Sequence, residues 1–126
     1  MDAECILTPR PNSIYEMAES RRAHYRVTYP IAERPTLEIG RVTYDIVQCS
    51  ERGVRYEVPD RPLPALGAEL SGVIRFRRGA RVEVAGEVTR AHSGEVVLFL
   101  PLQGIPFSEM LLEQQYLRSK GYTLVD

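Results

Sequence analysis

Short segments with a two-residue repeat dominate the middle of the chain, and turn residues separate them about every ten residues. The clearest segment runs from Arg81 to Thr89, where Val82, Val84 and Val88 fall on one face and polar residues on the other. Other strand-like segments are Val27–Tyr29, Leu37–Ile39, Val42–Val47, Val54–Val58 and Glu69–Phe76. About six short strands of this kind predict an antiparallel sandwich or barrel.

The last predicted strand and the segment after it follow different patterns. Val96–Leu100 is a continuous apolar run, which predicts a strand buried on both sides. After Pro106 the apolar residues recur at helical spacing, so we expect one helix over residues 107–120 that packs against the strands. Ser108 is a suitable N-cap and Gly121 a suitable C′ residue for this helix.

The bulk properties favour one soluble domain. The chain has 126 residues, of which 44% are hydrophobic and 26% charged, and no apolar run is long enough to span a membrane. The start is acidic and unlike a signal peptide, and Cys5 and Cys49 form no paired motif, so we expect a reduced, cytoplasmic protein. We divide the chain into an N-terminal arm, residues 1–19, and a domain, residues 20–126.

A net charge of −1 disfavours general binding of nucleic acid, and an anionic ligand would have to meet a local group of arginines. No motif of a nucleophilic, metal-dependent or phosphate-loop enzyme is present, so the sequence predicts neither catalysis nor a metal or cofactor. His24 and His92 have no partner at metal-binding or catalytic spacing, and we interpret both as surface residues.

Two short segments carry the residues best suited to bind an anion. The first, Arg21 to Arg26, contains three arginines within six residues, and guanidinium groups bind phosphates and guanine edges in bidentate fashion. The second, Gln48 to Gly53, offers the hydroxyl group of Ser50, and its glycine allows positive φ and close approach of a ligand. We predict that the two segments meet in the fold as one anion-binding site.

The order Arg22-x-x-x-Arg26, then a strand, then Gln48-x-Ser50-x-x-Gly53 before another strand, resembles the two motifs of the PilZ domain. The resemblance covers about residues 20–120 and implies a six-stranded antiparallel β-barrel with a C-terminal helix. It also implies a bacterial receptor for the second messenger cyclic di-GMP, which changes conformation to signal to a protein partner.

Residue by residue, the resemblance implies that the ligand contacts Arg21, Arg22 and Arg26 of the first motif and Gln48, Ser50 and Gly53 of the second. Gln48 departs from the family pattern, which has Asp or Asn at that position. A glutamine keeps an amide that donates and accepts hydrogen bonds, but its side chain is one methylene longer. Arg52 and Arg90 could also reach the site, or could be exposed surface residues, and Cys49 is interpreted as a packed side chain.

Three hypotheses about function follow. In the first, cyclic di-GMP folds the arginine segment over the barrel and fixes the arm, which changes the surface offered to a partner. In the second, the chain is a PilZ-like interaction module that does not bind nucleotide, as the change at Gln48 would permit. In the third, the barrel binds single-stranded RNA, although the absence of tryptophan and the mixed surface charge disfavour it.

Overall fold

The computed structural model describes residues 26–122, apart from the side chain of Gln103. The predicted arm over residues 1–19, Arg21 and Arg22 of the first motif, and the tail from residue 123 lie outside the described residues. So do Cys5, His24 and Tyr25.

The described residues form a closed β-barrel with one extra strand and one C-terminal helix. The strands are β1 (Arg26–Thr28), β2 (Thr36–Ile39), β3 (Val42–Ser50), β4 (Gly53–Glu57), β5 (Glu69–Arg75), β6 (Arg81–His92) and β7 (Glu95–Gln103). The helix α1 spans Phe107–Ser119, and a short 3-10 helix at Ile31–Glu33 separates β1 from β2. The strand order is β1-β3-β2-β5-β6-β7-β4, and pairing of β3 with β4 closes the last six into an antiparallel barrel. The predicted six-stranded antiparallel barrel with a C-terminal helix is therefore confirmed, with β1 as an additional strand beside β3.

The barrel interior is filled by the inward-facing residues of each strand. Leu37, Ile46, Ile74 and Leu98 have no exposed surface, as the period-two pattern predicts. The prediction that Val96–Leu100 is buried on both sides is wrong. Val97 is half-buried and Phe99 is 43% exposed, because β7 lies in the barrel wall with one face inward and the other outward.

The two hairpin turns nearest the predicted site differ in backbone conformation. Ser93 and Gly94, between β6 and β7, have φ values of 55° and 75°, as a two-residue type I′ turn requires. Gly53 does not have a positive φ, so the left-handed conformation that a glycine allows is not adopted here. If a glycine is needed at position 53, the need comes from the space around the residue and not from its backbone conformation.

Helix α1 follows a proline at its N-terminus and ends before a glycine. Pro106 is the N-cap, and Ser108 lies inside the first turn without capping it, so that prediction is wrong. Gly121 has φ of 93°, and the amides of Gly121 and Tyr122 donate to the carbonyls of Arg118 and Leu117, which confirms the predicted glycine C′. Within the described residues no helix is long and apolar enough to cross a membrane.

A buried polar cluster joins α1 to the barrel. Glu113, only 1% exposed, accepts a hydrogen bond of 2.5 Å from the hydroxyl of Tyr29 and one of 2.5 Å from Nε of Arg78. Arg78 also contacts the carboxylate of Glu109 and lies 5.2 Å from the centre of the Phe76 ring. Burial raises the pKa of the Tyr29 hydroxyl well above its usual value, so this group stays protonated and donates to Glu113. We call Tyr29, Arg78, Glu109 and Glu113 the helix clamp.

Candidate ligand-binding face

Two parallel rows of outward-facing residues cross five neighbouring strands of the barrel. The first row follows the cross-strand pairs on β1, β3, β4, β7 and β6 through Thr28, Gln48, Arg55, Val97 and Arg90. The second row crosses the same strands through Arg26, Ser50, Gly53, Phe99 and Glu87. With strands about 4.8 Å apart, each row spans about 19 Å along the sheet.

The second row explains how the two sequence motifs meet. Arg26 lies directly opposite Ser50, and Ser50 lies directly opposite Gly53 at the end of the β3–β4 hairpin. Gln48, two residues before Ser50 on β3, lies in the first row beside it. The structure thus brings together four predicted site residues, Arg26, Gln48, Ser50 and Gly53, in one surface patch.

A β-bulge in β3 turns the second motif outward. The pairing register shifts by one residue between Ile46 and Gln48, so residue 47 is an extra residue in the strand. The buried residues Ile46 and Cys49 are consequently three positions apart rather than two. Under strict alternation from Ile46, Gln48 and Ser50 would point into the core, and the bulge places both on the outer face.

These residues line an open cleft of about 430 Å³. Its walls are formed by Arg26, Gln48, Cys49, Ser50, Gly53, Val54, Arg55, Thr89, Arg90 and Val97. Three of these residues are arginines from three different strands, β1, β4 and β6. Within residues 26–122, neither Arg26 nor Arg90 has a carboxylate within ion-pair distance, so both can offer their positive charge to an anionic ligand.

The amide of Gln48 is oriented by its neighbour on β1. Its Nε2 donates a hydrogen bond of 2.8 Å to Oγ1 of Thr28, which lies directly opposite in the sheet. The amide oxygen is then left as an acceptor for a ligand.

Gly53 leaves room on the floor of the cleft. A Cβ at this position would lie 3.7 Å from the carbonyl oxygen of Leu98 and 3.7 Å from Oγ of Ser50, both ordinary contact distances. Neither φ nor internal packing therefore requires glycine. An added methyl group would occupy space in the cleft, beside the hydroxyl of Ser50.

The hairpin that carries Ser50 and Gly53 is fastened to the chain that follows β7. The amide of Ile105 donates to the carbonyl of Glu51 at 3.0 Å, and the amide of Leu100 donates to the carbonyl of Arg52 at 2.9 Å. A Cβ on Gly104 would lie 2.3 Å from the Glu51 carbonyl oxygen, so only glycine allows this approach. The hairpin is thus held in position by backbone contacts, independently of any ligand.

The two additional arginines considered from sequence have different roles. Arg52 points away from the cleft and donates to the carbonyl oxygen of Pro101 at 2.5 Å. Arg90 does line the cleft, and so does Arg55, which sequence reasoning missed. Arg55 falls on the alternate face of a cleanly periodic strand, where an exposed arginine is ordinary, so no local signal distinguishes it.

Cys49 lies inside the second motif but belongs to the core. Its side chain is 1% exposed, and burial raises the pKa of the thiol to about 12. The thiol is therefore protonated at neutral pH and is a poor nucleophile. The interpretation of Cys49 as a packed side chain is confirmed, and His92 is exposed, as expected for a surface residue.

Comparison with protein families matches residues 20–117 to the PilZ domain. The chain belongs to the PilZ domain family. PilZ domains are a family of cyclic di-GMP-binding domains that act as binding and effector modules. Comparisons with curated proteins and with solved structures find no significant match. The matched range contains both motifs, the complete barrel and most of α1.

Proposed function

We propose that this PilZ domain is a receptor for cyclic di-GMP, bound on the outer face of β1, β3 and β4, that signals binding to a protein partner. The ligand contacts are Arg26, Gln48, Ser50 and Gly53, together with Arg21 and Arg22 of the first motif. The proposal assigns the domain a binding role and no catalytic step.

The observation that carries this proposal is the adjacency of Arg26, Ser50 and Gly53 in one cross-strand row. A guanidinium donates two parallel hydrogen bonds to guanine O6 and N7 or to a phosphate, and a hydroxyl beside it supplies a further polar contact. Lysine could not reproduce the bidentate contact. Arg26 has no carboxylate partner within residues 26–122, and its positive charge favours an anionic ligand over a neutral one.

Calorimetric titration with cyclic di-GMP tests the proposal directly. The wild type is expected to bind with a Kd in the micromolar range or below, and the double variant Arg22→Ala, Arg26→Ala should lose most of that affinity. Arg81→Ala, an exposed arginine on β6 outside the cleft, is the matched control and should bind as the wild type does. The stoichiometry of the titration distinguishes one bound dinucleotide from two.

Absence of heat and of any thermal shift at high ligand concentration would contradict the receptor proposal. It would favour the alternative, a PilZ-like interaction module that does not bind nucleotide, for which the glutamine at position 48 is the motivating departure. The orientation of Gln48 by Thr28, with its amide oxygen left as an acceptor, is the reason we prefer the receptor.

The signalling step is proposed from the order of residues along the chain. Arg21 and Arg22 lie between the predicted arm and β1, so a ligand that engages them alters the surroundings of residues 1–20. Amide hydrogen exchange of residues 1–20, with and without cyclic di-GMP, measures this change. Equal exchange in both states would contradict the switch while leaving the binding proposal intact.

A further inference from the structure

The cleft has a second wall that belongs to neither sequence motif. Thr89 and Arg90 on β6 lie at the end of the cleft opposite Arg26, and Arg55 on β4 lies between the two ends. Between the two walls the floor is made by small or short side chains, among them Ser50, Gly53 and Val97. The cleft is therefore a trough with Arg26 at one end, Arg90 at the other and Arg55 between them.

A second β-bulge aims Arg90 at this trough. The register of β6 against β7 shifts by one residue between Val88 and Arg90, so that Thr89 and Arg90 together oppose Val97. Counted by strict alternation from buried Val88, Arg90 would point into the core; the bulge leaves both Thr89 and Arg90 exposed. Val97 also pairs with Arg55, so Arg55 and Arg90 lie on either side of Val97 in the first row.

The charge of the second wall is available to a ligand. Arg55 contacts one carboxylate, Glu95, at a long distance of 3.9 Å, and both side chains are about 40% exposed. An ion pair that is long and half-exposed contributes little and competes weakly with a ligand. Arg90 has no carboxylate partner within residues 26–122.

We propose that Arg55, Thr89 and Arg90 form a second phosphate-binding subsite, which holds one phosphodiester of a cyclic dinucleotide while the first motif and Ser50 engage the other half of the molecule. This inference rests on the proposed function and specifies how the site selects its ligand. A cyclic dinucleotide carries two phosphodiester groups on one ring and engages both ends of the trough. A mononucleotide has one phosphate and satisfies only one end.

Titration of cyclic di-GMP into single variants tests the subsite. Loss of a charge-assisted contact in Arg55→Gln or Arg90→Gln should weaken binding by about tenfold or more. Arg81→Gln, on the same strand as Arg90 but outside the cleft, makes the same change in net charge and should stay within about twofold of the wild type. Thermal unfolding of each variant verifies that it is folded.

Two further variants test the chemistry of the subsite. Arg90→Lys keeps the positive charge but loses the paired N–H donors of the guanidinium. If Arg90 contacts a phosphate, the lysine variant should bind cyclic di-GMP clearly more strongly than Arg90→Gln does. Binding equal to that of Arg90→Gln would overturn the assignment to phosphate. Glu95→Gln frees Arg55 and should tighten binding by about twofold to fivefold, whereas Glu83→Gln, elsewhere on the exposed face of β6, should not.

The outcomes separate this inference from the function on which it rests. If the wild type binds cyclic di-GMP and both Arg55→Gln and Arg90→Gln bind equally well, the subsite is overturned and the receptor function stands. If the wild type does not bind, the receptor function is overturned and the subsite with it. Selective weakening in the two variants supports both.

Discussion

Arginines occupy two contrasting settings in the described structure. Arg78, in the helix clamp, contacts the carboxylates of Glu109 and Glu113 and lies against an aromatic ring. Arg26 and Arg90, in the outer cleft, have no carboxylate partner among the described residues. The role of each guanidinium therefore depends on the side chains around it. A neutralised arginine holds the fold together, and an unneutralised one is available to an anionic ligand.

Strands β1 and β3 contribute to both settings, through alternate residues. On β1, Arg26 and Thr28 face outward, whereas Val27 lies inward, and Tyr29 just after the strand donates to Glu113 of α1. On β3, Gln48 and Ser50 face the cleft, and Cys49 between them contacts the Tyr29 hydroxyl at 3.5 Å. The cleft and the helix clamp therefore share a backbone, and substitutions can be chosen that affect only one of them.

The largest effect is expected in the helix clamp. Arg78→Ala would leave the buried carboxylate of Glu113 without its ion-pair partner, and such a change destabilises a protein by about 3 kcal/mol. Urea unfolding measures the loss, with the exposed Arg81→Ala as the control. A loss below about 1 kcal/mol would contradict the assigned role, since ordinary surface substitutions cost about that or less.

The second prediction contrasts the inner and outer residues of one motif. In a Cys5→Ser background, the buried Cys49 thiol should react with a thiol reagent at least about a hundredfold more slowly than it does in the unfolded chain. Adding Ser50→Cys supplies a control, because a thiol one residue further on faces the cleft and should react readily. Rapid labelling of Cys49 in the folded protein would show that this strand opens easily.

The third prediction concerns the cleft alone. Arg26→Gln removes the charge and keeps a polar amide on a shorter side chain, so cyclic di-GMP binding should weaken by about tenfold or more. The unfolding free energy should change by no more than about 0.5 kcal/mol, since Arg26 is exposed and has no ion-pair partner within residues 26–122. Parallel titration and urea unfolding measure the two quantities, and a stability loss like that of Arg78→Ala would remove the distinction between the two settings.

The smallest effect is expected at Gly53. Because φ is not positive and an added Cβ meets only ordinary contacts, Gly53→Ala should leave the unfolding free energy within about 0.5 kcal/mol. Binding should still weaken several-fold, because the methyl group occupies the floor of the cleft. Gly104→Ala is the opposite case and should lower stability, since its Cβ would overlap the Glu51 carbonyl. Unchanged binding in Gly53→Ala would mean that the ligand does not approach this backbone.

Much of the fold could be predicted from local patterns. The strands, the helix over residues 107–119 and the glycine at its C′ position follow from periodicity and turn chemistry, which depend on near neighbours. Periodicity alone does not specify that the two motifs meet, and that prediction depended on their anion-binding residue types and on the family resemblance. The burial of Glu113 could not be predicted, because its partners, Tyr29 and Arg78, lie 84 and 35 residues away in sequence.

The number and nature of the elements, and the residue types capable of binding an anion, follow from the amino-acid sequence, since they depend on composition and short-range spacing. Which side of the barrel those residues face depends on how the strands pair in three dimensions. A strand's alternation is reversed by one extra residue, and whether a bulge forms depends on how the strand pairs with its neighbours. The bulges before Gln48 and before Arg90 are of this kind, and they are the reason that Gln48, Ser50 and Arg90 share one cleft with Arg55.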